Sequence, residues 1–292
     1  MRIDLHTHSN RSDGTDGPGE LMGRAVAVGL DVVALTDHDT AAGWDDARAA
    51  AADIGIGFVP GMEISCRHAG AGVHLLAYLL DPHYPPLAAE LRRVLDGRSA
   101  RLPRTLQRLR ELGIDIGVDD VTAVSSNAEA TGRPHIADAL VAHGVVANRD
   151  EAFDRFLGQG RPAYVERYAA DLAETIGMVS EAGGVTVLAH PWGRHSRRAL
   201  DPTTLAALKE AGLAGVEVDH QDHDEATRKE LREVAAGLGL LQTGSSDFHG
   251  EGKLDCPLGA NTTDPDQFER LLAAAADSSS RSGRQTPAPV LP

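Results

Sequence analysis

Short apolar segments alternate with helical patterns along most of the chain, and this alternation restricts the fold more than any other feature. Residues 31–36 form a continuous apolar run, which is typical of strands buried on both faces. Similar segments cover residues 2–6, 57–64, 72–78, 185–189, 215–218 and 240–244. Helical patterns follow most of them, as in right-handed β-α-β units. We therefore predict an α/β protein with a parallel sheet of about seven strands, and a length of 292 residues fits a barrel.

The alternation is interrupted between residues 82 and 164, where helical patterns replace strand signals. A long helix is expected at 87–112, with shorter ones at 119–124, 134–142 and 150–157. We interpret 82–164 as a helical lobe inserted into a barrel formed by residues 1–81 and 165–276. Residues 277–292 are rich in Ser, Pro and Arg, and are predicted to be a disordered tail.

Composition narrows the cellular setting of the protein. Two cysteines, Cys66 and Cys256, provide no disulfide framework and fit a reducing compartment. No apolar run approaches the length of about 18 residues that a membrane span needs, and the N-terminus lacks a signal-peptide pattern. We expect a cytoplasmic protein with no membrane association and no obligate protein partner. The net charge of −15 argues at first against anionic substrates, but bound divalent cations can reverse the local sign.

Histidines and carboxylates gather where the predicted strands end. In His6-Thr7-His8 the two imidazoles project the same way from an extended backbone, so they can bind one metal ion. Similar residues recur at Asp13, His38, Glu63, His74, His190, Asp247 and His249. Nitrogen and oxygen donors without thiolate suit Mn²⁺, Fe²⁺ or Zn²⁺. Nine candidates suffice for two or three ions, although each alone could be a packed histidine, a helix cap or a turn residue.

These residues lie in motifs that resemble the PHP (polymerase and histidinol phosphatase) family of metal-dependent phosphoesterases. The motifs are His6-Thr7-His8 with Ser12-Asp13-Gly14, Thr36-Asp37-His38-Asp39, Gly61-Met62-Glu63-Ile64-Ser65, the strand with His74, Ala189-His190-Pro191, and Gly244-Ser245-Ser246-Asp247-Phe248-His249. The resemblance implies a distorted (β/α)7 barrel and a cluster of two or three metals. By matching position, one ion would bind His6, His8, Glu63 and Asp247, a second Glu63, His74 and His190, and a third Asp13, His38 and His249.

The resemblance also implies the reaction. Two adjacent ions can deprotonate a bridging water and neutralise a phosphoryl group, so we expect hydrolysis of phosphate esters by metal-activated hydroxide. Manganese is the expected metal, with iron and zinc as alternatives. Asp13 and His249 are candidates to assist the leaving alkoxide, and Glu63 and Asp247 complete the predicted catalytic set.

A second motif predicts which residues bind the substrate. Gly132-Arg133-Pro134-His135-Ile136 resembles the phosphate-binding stretch of PHP proteins that act on nucleotides and RNA ends. Arg133 would bind phosphate through its planar guanidinium, and His135 would add a donor at a helix N-terminus. Arg104, Arg161 and Ser245 are further candidate contacts. The helix around Arg104 carries seven arginines and one acid within residues 92–110, which indicates either a basic surface for a polyanion or a solvated face.

We therefore predict a phosphoesterase acting on 3′,5′-nucleoside bisphosphates or on the 5′ ends of short RNA. One alternative is a small phosphomonoesterase of the histidinol-phosphate type. An alternative of another class is a noncatalytic metal-binding regulatory module.

Overall fold

The computed structural model describes residues 1–125, 127–193, 196–253 and 255–291. The strands in these ranges are β1 (Ile3–Asp4), β2 (Val32–Leu35), β3 (Gly57–His68), β4 (Ala71–Tyr78), β5 (Ala170–Asp171), β6 (Val185–Ala189), β7 (Gly215–Asp219) and β8 (Leu241–Gly244). The α-helices are α1 (Pro18–Ala27), α2 (Trp44–Ile54), α3 (Pro85–Glu111), α4 (Val118–Val124), α5 (Arg133–Ala142), α6 (Arg149–Ala152), α7 (Leu172–Glu181), α8 (Pro202–Glu210), α9 (Glu225–Leu238) and α10 (Pro265–Ser282). In the described ranges, no helix has the length and apolar character needed to cross a membrane.

The strands form one nearly closed, barrel-shaped sheet in the order β1-β2-β3-β4-β6-β7-β8, and β5 pairs with β3 outside this path. The two ends of the sheet approach each other, because the backbone N–H of His8 donates to the carbonyl of Phe248 at 2.9 Å. A bridge between Thr7 and Phe248 marks the same approach. The residues that follow β1 and β8 are therefore neighbours, although they are separated by almost the whole chain.

Alternate side chains of the strands enter two different apolar clusters, because successive residues of a strand point to opposite faces of the sheet. Val33 packs in the larger cluster with residues of the surrounding helices, such as Leu21 of α1. Val32 belongs to a smaller cluster, together with Phe268 and Leu271 of α10. Burial on both faces explains why β2 has no polar residue.

The helices between β4 and β5 have an apolar cluster of their own. Leu106 and Leu109 of α3 pack in it with Val121 of α4 and Ile136 of α5. The first half of α3 packs elsewhere, because Leu91 belongs to the large cluster of the barrel. Helix α3 therefore contributes to both clusters, and the inserted lobe at 82–164 stays a prediction.

The sheet departs from the predicted all-parallel arrangement at β4. This strand pairs antiparallel with β3 and with β6, whereas the other neighbours along the path pair in parallel. The reason is the short connection at Ala69 and Gly70, which turns the chain directly back. His74 consequently lies inside a strand, opposite Ser65 of β3, and does not follow a strand end.

The structure also departs from the predicted disordered tail at 277–292. Helix α10 continues to Ser282. Arg284 then contacts Asp81 at 3.1 Å, and Val290 exchanges backbone hydrogen bonds with Phe58. The composition of this segment suggested disorder, but backbone pairing with β3 requires no apolar sequence.

Candidate metal centre

The structure brings the nine predicted ligands together at one end of the barrel. His6, His38 and His190 follow β1, β2 and β6, Glu63 and His74 lie on β3 and β4, and Asp247 and His249 follow β8. Two of these residues have positive φ angles, 29° at His190 and 51° at Asp247. Such angles are uncommon outside glycine and cost free energy, so they indicate that the side chains are held in place for a function. We call these nine residues the metal-ligand cluster.

The first group of donors consists of His6, His8, Glu63 and Asp247. The Nε2 atoms of His6 and His8 are 3.1 Å apart. They lie 3.4 and 3.3 Å from Glu63 Oε2, and 3.3 and 3.4 Å from Asp247 Oδ1. A tetrahedral ion with bonds of about 2.0–2.1 Å separates its ligands by roughly 3.3–3.4 Å. These donors therefore fit a single first-row ion, and the group is the one predicted from the sequence.

The second group surrounds Asp13. Its Oδ1 atom lies 3.4 Å from Nε2 of His249 and 3.7 Å from Nδ1 of His8, and its Oδ2 atom lies 3.6 Å from Nε2 of His38. The three residues predicted for a third ion are thus assembled. His8 joins them, since it stands between this group and the first.

The third group centres on Glu63. Its Oε1 atom lies 2.7 Å from Nδ1 of His74 and 3.2 Å from Nε2 of His190, while His38 Nδ1 is 3.2 Å from Oε2. The buried Nδ1 of His74 has no hydrogen-bond partner among the described residues, although Glu63 Oε1 lies 2.7 Å away. An unpaired buried nitrogen beside a carboxylate is what a site for a cation would contain. The structure therefore places His38 beside the predicted set of Glu63, His74 and His190.

The electrostatics of the cluster favour a bound cation. Burial raises the pKa of the Glu63 carboxyl, but His74, His38 and His6 outweigh it and hold this pKa well below its usual range. Burial likewise lowers the pKa of His8, but hydrogen bonds to Asp247 and Glu63 raise it to about 9. The carboxylates are thus ionised and attract positive charge, which a divalent ion would supply in place of protons.

Three residues that contact the cluster are missing from the sequence prediction. Glu217 on β7 is fully buried, lies 3.2 Å from His6 Nδ1, and accepts a hydrogen bond of 2.8 Å from the backbone N–H of His190. His220 follows the same strand, and its Nε2 atom lies 3.4 Å from Asp247 Oδ2. The sequence offered two signals for them, a glutamate inside an apolar strand and a histidine just after that strand. Lys253, also not predicted, lies 2.7 Å from Asp247 Oδ2.

The predicted substrate contacts are spread over several places. His135 lines a small cavity beside the cluster, together with Asp13 and His38. Arg133 does not line this cavity; its guanidinium donates to the carbonyl of Leu157 and lies 5.5 Å from the ring centroid of Tyr164. Arg98, which was not predicted as a contact, lines the cavity.

The other three candidates also occupy separate places. Ser245 is fully buried and its hydroxyl donates to Glu217, so it shapes the support of His6. Arg161 is exposed on a turn of the lobe. Arg104 lines a second, larger cavity.

Known proteins are similar to this chain over most of its length. The PHP domain model matches residues 4–177. The 5′-3′ exoribonuclease of Haemophilus influenzae is 36% identical, and the alignment covers 85% of this chain and 90% of that protein. The 3′,5′-nucleoside bisphosphate phosphatase of Chromobacterium violaceum is 36% identical over 86% of this chain and 88% of its own. A solved structure from Bifidobacterium adolescentis, assigned as a metal-dependent phosphoesterase, shares 38% identity and a TM-score of 0.89, covering 93% and 96% of the two chains.

Proposed function

The chain belongs to the PHP family of metal-dependent phosphoesterases, and on that premise we propose that its substrates are nucleotides that carry more than one phosphate group. A 3′,5′-nucleoside bisphosphate and the 5′ end of a short RNA both meet this description. The two relatives named above act on one substrate of each kind, according to their names. The observation that carries the proposal is the assembly of all nine donors around Glu63 and Asp13, next to a cavity lined by Arg98 and His135.

Divalent ions at this site would activate a water molecule and neutralise charge on the phosphoryl group. We propose two or three ions, manganese by preference, with iron or zinc as alternatives. Glu63 would be shared between ions, because its Oε2 atom faces His6 and His8 while its Oε1 atom faces His74. We also propose that the protein acts in the cytoplasm and needs no obligate protein partner.

The residues of the chain would bind the substrate, orient it and assist proton transfer. Arg98 and His135 face the cavity and would contact phosphate oxygens. During hydrolysis water attacks phosphorus, the ester P–O bond breaks, and the leaving oxygen gains a proton. We propose that Asp13 and His249, 3.4 Å apart, assist the departure of that oxygen by holding a cation close to it. This role makes them the proposed catalytic pair, and Glu63 and Asp247 orient the donors on the opposite side.

The test measures phosphate and nucleotide release with added Mn²⁺. The substrates are 3′,5′-bisphosphorylated adenosine and a 5′-phosphorylated oligoribonucleotide, with a chelated sample as control. Asp13→Ala and His249→Ala should abolish most of the turnover. Normal turnover and normal metal content in both variants would contradict the proposed roles. Release from neither substrate by the metal-loaded protein would refute the nucleotide proposal.

A further inference from the structure

A second cavity, of about 580 Å³, is lined by residues of helix α3 and of the segment 166–169. Its lining residues are Arg67, Gly97, Ala100, Arg101, Arg104, Glu166, Arg167, Tyr168 and Ala169, and we call it the arginine cavity. Its volume falls within the range of roughly 300–1,000 Å³ that is typical of sites for small organic ligands. It can therefore hold more than a single inorganic ion.

The charge of this cavity is opposite to that of the whole protein. The protein has 43 acidic and 28 basic residues, yet four arginines and one acid line the cavity. The acid, Glu166, already forms an ion pair with Arg67. The remaining arginines, Arg101, Arg104 and Arg167, leave a net positive charge facing the opening.

Arg101 shows most clearly that this charge lacks an internal partner. Its side chain is buried, with 5% of the residue exposed. No carboxylate of the described residues forms an ion pair with Arg101 or Arg104. Arg98, one turn earlier, differs because it pairs with Asp39 at 2.8 Å. A buried, uncompensated cation is costly, so such a group normally has a partner that is not part of the protein.

The neighbours of Arg101 add to this cost. Burial lowers the pKa of Arg101 to about 8, and the positive charges of Arg133, Arg167 and Arg98 contribute to the shift. Burial and Arg98 lower the pKa of Arg167 to about 9. Guanidinium groups do not lose their protons in proteins, so these shifts express the cost of burying the charges, to which their mutual repulsion adds, and a bound anion would offset both.

The arginine cavity adjoins the reaction site through helix α3. Arg98 lines the cavity beside Asp13 and His38, and Arg101 lines the arginine cavity three residues later. Three residues of an α-helix rise about 4.5 Å. Neighbouring turns of α3 thus line both cavities, so a phosphorylated ligand that extends along this helix would contact both.

We propose that Arg101, Arg104 and Arg167 bind a phosphate group of the substrate other than the one that is hydrolysed. This inference rests on the proposed function and specifies how a second phosphate is recognised. The group is either the terminal phosphate of a bisphosphorylated nucleotide or a phosphodiester of an RNA chain. Planar guanidinium groups suit both, because they donate paired hydrogen bonds to phosphate oxygens. Tyr168 also lines the cavity and is 36% exposed, but Arg93 lies 4.2 Å from its ring centroid, so at most one face of the ring is open to a base.

The test compares substrates with one, two and several phosphates. We would measure kcat/KM with Mn²⁺ for adenosine 3′-phosphate, adenosine 5′-phosphate, 3′,5′-bisphosphorylated adenosine and 5′-phosphorylated oligoadenylate. The variants are Arg101→Gln, Arg104→Gln and Arg167→Gln, with Arg101→Lys as the conservative change. Arg110→Gln is the matched control, because Arg110 lies on the same helix, with 63% of its side chain exposed. Arg104 is also exposed, so its replacement should not disturb folding.

A hydrogen bond to a charged group contributes about 1.5–3 kcal/mol, which corresponds to at least about tenfold in binding. If the terminal phosphate binds here, each Gln variant should reduce kcat/KM for the bisphosphate about tenfold and leave that for the monophosphates unchanged. If a phosphodiester binds here, the same loss should be confined to the oligomer. Arg101→Lys should recover part of either loss, which a pure packing role would not predict. Equal losses on all substrates, or no loss on any, would overturn the proposal.

Direct binding separates this inference from the proposed function. Titration calorimetry of 3′,5′-bisphosphorylated adenosine and the oligomer, with a chelator present, reports binding without turnover. If no substrate is hydrolysed but binding weakens in the arginine variants alone, the proposed function fails and the phosphate site stands. If the wild-type protein hydrolyses the bisphosphate and all variants bind every ligand as tightly as it does, the site is refuted and the function stands. For single-stranded RNA, the slope of log affinity against log salt should also fall by about 0.7 for each lost contact.

Discussion

The metal-ligand cluster and the arginine cavity handle charge in opposite ways, although residues of helix α3 line both the cavity beside the cluster and the arginine cavity. In the cluster, carboxylates and histidines intermix, so that neighbouring His38 and His249 hold the pKa of Asp13 well below its usual range despite burial. In the arginine cavity, like charges adjoin one another and Arg101 is paired with no acid of the described chain. The cluster therefore attracts cations, whereas the cavity attracts an anion. With cations bound in the cluster, both regions would attract phosphate, which is why we propose a nucleotide with two phosphates as the ligand.

The largest effect should come from Glu63→Gln, which keeps the shape of the side chain but removes the charge shared by the first and third groups of donors. Bound ions supply several kcal/mol of transition-state stabilisation, so kcat/KM should fall by about a thousandfold or more. Turnover of 3′,5′-bisphosphorylated adenosine and the bound metal, measured by mass spectrometry, check this. Glu233→Gln on exposed α9 is the matched control. Unchanged metal content and turnover in Glu63→Gln would show that the cluster does not bind the catalytic ions.

A smaller effect is expected for Glu217→Gln, which tests whether the metal ligands depend on a buried residue that holds them in place. Glu217 orients His6 and holds the backbone of His190. Residues that orient a metal ligand typically contribute 10–100-fold to metal affinity or activity. We therefore expect the Mn²⁺ concentration for half-maximal turnover to rise by about this factor. If the Mn²⁺ dependence of the variant equals that of the wild type, Glu217 does not position His6.

The next effect concerns stability and tests the arginine cavity without catalysis. In the presence of a chelator, inorganic phosphate should raise Tm, because a ligand at 100 times its Kd stabilises the folded state by about 2.7 kcal/mol. For a protein of this size each kcal/mol corresponds to about 2–4 °C. Arg101→Gln should lose most of this increase, and Arg110→Gln should retain it. An identical phosphate-dependent increase in all three proteins would show that the anion binds elsewhere.

The smallest effect is expected at Cys66, which lies on β3 between Glu63 of the cluster and Arg67 of the cavity. Burial raises the pKa of its thiol, so little reactive thiolate forms. Iodoacetamide at pH 8 should label Cys66 more than about tenfold more slowly in the native protein than in the chain unfolded by urea. Mass spectrometry of the peptides gives both rates. Rapid labelling of the native protein would mean that the strand between the two regions opens readily.

Much of the cluster could be predicted from the sequence, because its residues occur in local motifs next to apolar strands. The predictions of the PHP family, the barrel fold and phosphoester hydrolysis are confirmed. The nine predicted ligands converge, although their occupancy by metals stays a prediction. Glu217 was missed because a single glutamate inside a strand has no motif around it, and its role depends on His6, which lies 211 residues away.

The arginine cavity could be predicted only in part. Arg104 was a candidate from its place on a basic helix, but nothing in the sequence separates it from Arg98, which pairs with Asp39. Arg167 lies in a different segment, and only the folded chain brings it beside the arginines of α3. Such contacts depend on how α3 crosses the fold, and helical spacing alone does not determine that. The same limit explains the antiparallel pairing of β4 and the ordered segment that ends at Val290.

The most direct test of both regions is a crystal structure of the Mn²⁺-loaded protein with 3′,5′-bisphosphorylated adenosine carrying a hydrolysis-resistant phosphorothioate. Anomalous scattering at the manganese edge locates the ions, and the sulfur marks one of the two phosphate groups. We predict manganese among His6, His8, Glu63 and Asp247, one phosphate beside Asp13, and the other on Arg101 and Arg167. No manganese at those donors, or both phosphates outside the arginine cavity, would contradict the account.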